Sequence, residues 1–202
     1  MSDGSGSAET DHAGSDDALP DPPIPPHRLV RGTVAIDDLD AFLSRLDAIA
    51  AETGAVVQAF DAGLVVSDAH LRTATRLAAR AIARGEAVAR DPGVEVLLYT
   101  AGRRQIDRAL ALGVSEGEQR AVVLVADFGG VDGAGRPTAD LDAAETAVEG
   151  LTVPAETAEV ADGFDADRVR EFYGVSDREL AATAGGLADI VRERVALLDV
   201  EK

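Results

Sequence analysis

Outside an acidic N-terminal stretch, this 202-residue sequence offers one side chain able to act as a general base near neutral pH, His70. His70 stands three residues after Ser67, and Ser67 with Asp68 fits the cap and first turn of a helix. That structural reading is preferred to a catalytic one. With no cysteine there is no thiolate nucleophile, disulfide framework or Cys-ligated zinc, and with no tryptophan the commonest aromatic interface anchor is missing. Residues 130–135 are glycine-rich and follow a strand, but their spacing is that of a turn, with Pro137 close behind. A phosphate-cradling GxxxxGK[ST] is absent. Asp162, Asp165 and Asp167 have the opening rhythm of a calcium loop without its glycine or its final glutamate, so a solvated acidic loop is expected there. None of these residues asks for an enzyme, a metal or a cofactor.

The informative chemistry is that of arginine. Residues 70–108 hold eight arginines against four acids, a balance of +4, while the rest of the chain stands at −22. Arg72, Arg76, Arg80 and Arg84 recur every four residues, which on a helix turns each ~40° from the last and lays them along one face. Like charges at this spacing repel, so the stripe needs acidic neighbours or an anionic ligand, and both remain open from pattern alone. A guanidinium grips phosphate bidentately and stacks on a base, a chemistry suited to single-stranded RNA ends.

The elements that must carry these residues follow from apolar spacing. Residues 1–27 are read as a disordered tail, with six acids and no base before residue 27 and a proline-rich finish, too polar to offset the cost of ordering. Residues 28–202 are read as a single domain. Leu29 to Ala35 predicts a strand, and Asp37 a cap for a helix with Leu39, Phe42, Leu43, Leu46, Ile49 and Ala50 inward, stopped by Gly54. Ala55 to Phe60 with Leu64 to Val66 predicts a strand or hairpin around Asp61 to Gly63. Ser67 opens a helix to Arg84 with Leu71, Ala74, Ala78 and Ile82 inward; Asp91 and Pro92 start another over Val94 to Thr100. A break at Gly102 leads into a helix over Arg103 to Leu112, and Ala121 to Ala126 predicts a buried strand. An acidic variable loop is expected over about 128–165, with one short helix near Leu141 to Val148. Ser176 and Glu179 predict a capping box for a last helix, with Gly185 and Gly186 as a point of division. The order implies an α/β (α+β) fold, a small mixed or antiparallel sheet covered by several helices.

The chain is strongly acidic, with a formal net charge of −18, and Lys202 is its only lysine. Arginine in place of lysine with a carboxylate excess points to a salt-rich cytoplasm, where charges screen over ~3 Å at molar ionic strength; a GC-rich genome favours the same composition. No apolar run reaches the ~18 residues that span a bilayer, and the N-terminus lacks a signal-peptide layout, so a soluble cytoplasmic protein without a membrane partner is expected.

The run Glu95-Val96-Leu97-Leu98-Tyr99-Thr100-Ala101-Gly102-Arg103-Arg104-Gln105-Ile106, followed by Ala109, Leu110 and Gly113, resembles the E-I-L-L-Y-x-[AS]-G-x-R-Q-I segment of the PRPK-binding (TPRKB-like) regulatory subunit of the KEOPS complex, in its archaeal form and here of haloarchaeal type. The resemblance extends from about Leu29 to Lys202. It implies a non-catalytic subunit supporting threonylcarbamoyladenosine modification of tRNA. Its partners would be the PRPK-type kinase/ATPase subunit, through it the catalytic carbamoyl-transfer subunit, and the single-stranded tRNA 3′ CCA end. No cofactor is implied. Gly102, Arg104, Gln105 and Ile106 are the matched motif positions; Arg103 and Arg104 are expected at phosphates, Gln105 and Ile106 at an unstacked base. Ile106 also fits a core stripe with Ala109 and Leu110. Arg72, Arg76, Arg80 and Arg84 join this RNA-binding set by charge and spacing alone. A protein-only allosteric regulator of the kinase, with its arginines neutralised internally, is the alternative.

Overall fold

The computed structural model describes residues 23–153 and 163–198. Three strands, β1 (His27–Ile36), β2 (Val56–Asp61) and β3 (Gly117–Ala126), form one antiparallel sheet in the order β1-β3-β2. The run that read as the clearest buried strand is therefore the central one, hydrogen-bonded on both edges and covered on both faces, which is why it is apolar without alternation. Val123 and Val125 face one layer, while Val122 and Leu124 face the other. β1 begins at His27, inside the segment expected as tail; the expectation for residues 1–22 lies outside the described residues.

The first helical layer comprises α1 (Leu39–Thr53) and α5 (Leu141–Glu149). Phe42, Leu46 and Ile49 of α1 and Ala144 and Val148 of α5 pack on Val30, Val34 and Ile36 of β1 and on one face of β3. The cap of α1 is Asp38, one residue later than expected, accepting from Ala41 N at 2.9 Å. The second layer, on the opposite face, holds α2 (Asp68–Ala83), α3 (Pro92–Thr100), the short α4 (Ile106–Ala109), α6 (Ala166–Tyr173), α7 (Asp177–Ala182) and α8 (Leu187–Leu198). The fold is α+β, and among the described residues no helix is long and apolar enough to cross a membrane.

Four local expectations are corrected. No hairpin forms at Asp61 to Gly63: the chain makes a 3-10 turn over Ala62–Leu64, with the Asp61 carboxylate accepting from Gly63 N at 2.8 Å, because β2 already pairs with β3. The helix expected over Arg103 to Leu112 starts at Ile106 and tightens into a 3-10 turn at Leu110–Leu112. The capping box is half made: Ser176 Oγ accepts from Glu179 N at 3.2 Å, but the Glu179 carboxylate turns to Arg194 and the helix ends at Ala182. Lastly, α6 arises where a solvated acidic loop was expected. Asp165 caps it, accepting from the amides of Asp167 and Arg168, both at 3.1 Å, while Asp162 lies outside the described residues.

Candidate nucleic-acid and partner interface

Helix α2 is buried on nearly every side, with Leu71, Ala74, Leu77, Ala78 and Ile82 in the core between the sheet, α3 and α8. What remains uncovered is one strip, on which Arg72 is exposed and Arg76 and Arg80 are half-buried; Arg84 caps the helix and is exposed. The sequence stripe thus coincides with the face that packing leaves over. Arg76, Arg80 and Arg84 each engage another group of the molecule.

His70 points the other way, into the core. Its Nε2 lies 2.9 Å from the Thr100 carbonyl, to which the Tyr173 hydroxyl also donates at 3.0 Å, and the His70 and Tyr173 rings meet edge to face. Burial pushes the imidazole pKa down to about 4, the nearby Arg192 charge adds to the effect, and the bond to Thr100 opposes it. A neutral imidazole bonded to Thr100 through Nε2–H has its Nδ1 as an acceptor, which has no partner among the described residues. Burial likewise pushes the Tyr173 phenol up. Sealed from solvent, His70 is a tie between the start of α2 and the end of α3, not a base.

That tie positions the Gly-x-Arg-Gln-Ile motif. Val96 to Tyr99 are core, and Glu95, buried, accepts from Val88 N at 3.0 Å and Ala89 N at 2.8 Å, folding the α2–α3 connection onto α3. Only from Gly102 does the motif reach the surface. Gly102 adopts φ +59°, a left-handed conformation that suits glycine, and sends the chain away from α3. Arg103 donates to the Phe172 carbonyl, and its guanidinium lies 5.0 Å from the centre of the Phe172 ring. Arg104 Nη2 donates to the Leu198 carbonyl at 2.9 Å, at the end of α8. Both cations thereby meet the negative carbonyl ends of helices, a favourable electrostatic pairing. No helix forms before Ile106 because the backbone is left-handed at Gly102 and extended at Gln105.

Gln105 is exposed, and its side chain makes no cap bond to α4. Ile106 is 42% exposed, which overturns its alternative place in a core stripe; Ala109 and Leu112 are the buried residues of this segment. Leu110, one turn beyond Ile106, is 57% exposed. The alternative core stripe fails for Leu110 as for Ile106, because the two lie one turn apart on the same outward face of this segment. Arg194 was missed altogether. It donates to the Tyr173 carbonyl and to both oxygens of Glu179, at 2.8 and 2.9 Å, clamping α6 and α7 against α8.

Exposed apolar residues with an exposed glutamine can hold a base or a protein partner, and a cationic strip on an otherwise acidic chain can meet phosphates. No curated protein matches the sequence. A family model described as kinase binding protein CGI-121 matches residues 40–199, a span holding all but the first residue of α1, the arginine strip and the Gly102 to Ile106 motif, and the chain belongs to that family.

Proposed function

We propose that this protein is a non-catalytic subunit of the KEOPS complex that binds the PRPK-type kinase/ATPase subunit, and through it the catalytic carbamoyl-transfer subunit, and recruits the 3′ CCA end of tRNA for threonylcarbamoyladenosine modification. Membership of a kinase-binding family supports the first half. The second half rests on one observation: packing leaves open on α2 only the face that carries Arg72, Arg76 and Arg80, in a chain of net charge −18. The His70 to Thr100 tie joins the start of that helix to the end of α3, two residues before the motif begins. Phosphates follow the arginines and an unstacked base rests on Ile106 beside Gln105.

The test uses positions whose loss leaves the helix contacts intact. Arg72→Glu and Ile106→Asp, each on the surface, are expected to weaken tRNA retention at matched salt while kinase capture persists. Equal retention by wild type and both variants overturns the RNA half. Failure of the wild-type protein to bring down a small kinase from native extract overturns the other.

A second reading is favoured by the engagement of Arg103 and Arg104 with backbone carbonyls. If internal contacts satisfy these cations, the protein regulates the kinase without touching RNA. Wild-type protein that stimulates the kinase but retains no tRNA supports that reading.

A further inference from the structure

On the α2 side of the sheet the apolar floor gives way at one end to Arg31 and Thr33 of β1 and Arg120 of β3. These residues line a cleft of about 560 Å3, bounded by Ser67 and Asp68 at the start of α2 and walled by Val66, Val122 and Phe164. The volume falls within the ~300–1,000 Å3 of small-molecule sites, and its lining is mixed, polar groups accompanying the apolar ones. Arg120 lies directly across from Thr33, and Arg31 across from Val122, so the two arginines are diagonal neighbours on one sheet face. Like charges on adjacent strands repel, so two cations on this face call for acceptors around them, and Arg120 engages a further group of the molecule. Arg31 pairs with Asp68, whose side chain is 70% exposed, a pairing of the kind that contributes little and is readily displaced. Arg120 donates to the Gly163 carbonyl. The positive end of the α2 dipole faces the same space. Asp68 also precedes Arg72 by four residues, so the cleft lies at the head of the arginine strip.

We propose that this cleft binds the phosphate of a nucleotide, with Arg31 and Arg120 taking the phosphate oxygens and the sugar or base lying against Phe164. Asp68 occupies Arg31 until the phosphate replaces it. Two sources supply this chemistry: a free mononucleotide, or the terminal nucleotide of a single strand laid along α2, the latter resting on the RNA reading above.

Calorimetric titration of the full chain at fixed KCl tests the assignment, with AMP, adenosine, and a short oligoribonucleotide with and without its 3′-terminal nucleotide. AMP is expected to bind where adenosine does not. Arg31→Gln should weaken AMP binding about tenfold by removing a charge-assisted fork. Asp68→Asn should strengthen it by removing the competing carboxylate, a gain that misfolding cannot mimic, and Arg45→Gln on exposed α1 should change nothing. A response of the intact oligonucleotide alone to Arg31→Gln and Asp68→Asn assigns the cleft to a strand end. AMP and oligonucleotide affinities both indifferent to these two variants overturn the proposal; if RNA still binds, the RNA reading survives without the cleft. AMP binding that responds while RNA is not retained supports the cleft and overturns the RNA reading.

Discussion

Arg194 and His70 show how much of the arrangement depends on single polar side chains. Arg194 ties three helices through two carbonyls and a bidentate carboxylate, so Arg194→Ala should cost about 1–3 kcal/mol in denaturant unfolding, with loss concentrated in α7. Glu179→Gln, which keeps the carbonyl bonds, should cost less. His70 carries a pH signature. Its folded pKa of about 4 lies below the ordinary 6.5, so the unfolded chain binds more protons between these values and stability rises with pH there. Stability is therefore intact above 6.5 and falls as pH drops toward 4, by on the order of 3 kcal/mol from this group. His70→Gln, whose amide can still donate to Thr100, should remove that component. A wild-type minus variant difference that stays constant from pH 7 to 4 would contradict the burial argument.

At the scale of elements, the chain advertises those whose apolar period is strong and hides those that depend on distant partners. Strand β3 and α2 were legible because each is buried broadly enough to leave a clear apolar pattern, whereas the short apolar run of α3 fits a strand as well and only its start at Asp91 and Pro92 marks a helix. Helix α6 was not, since Val169 and Tyr173 are its only buried residues among charges. The seats of Arg103 and Arg104 were equally invisible, because their carbonyl partners lie 69 and 94 residues away. The motif as a surface feature was readable; which of its cations are occupied was not. Gly102→Ala isolates the turn. A methyl there meets nothing nearer than 3.7 Å, so the cost is the left-handed backbone alone, about 1 kcal/mol, with Gly130→Ala, which has open space and no positive φ, as the near-neutral control. Leu124→Ala in the fully buried centre of β3 should cost about 2–5 kcal/mol, against little for Leu43→Ala at 40% exposure on α1.

For the whole molecule, charge dominates. A net charge of −18 repels itself, and salt relieves it, so the melting temperature should climb as KCl is raised toward about 1 M, where the screening length falls to ~3 Å. A melting temperature flat or falling over that range would mean that the surface carboxylates are neutralised locally. Any RNA affinity should fall only gently over the same range, since few phosphates meet arginine and stacking is less sensitive to salt. The sheet order has a consequence of another kind. β1 and β2 are not neighbours in the sheet; the ladder of each is with β3, which follows them both in the chain. On the ribosome, β1 emerges and then waits on the order of 10 s, at ~5–20 residues per second, before its partner is made. For that interval the nascent chain exposes two unmatched strands, and a surface crowded with carboxylates keeps neighbouring nascent chains apart while they wait.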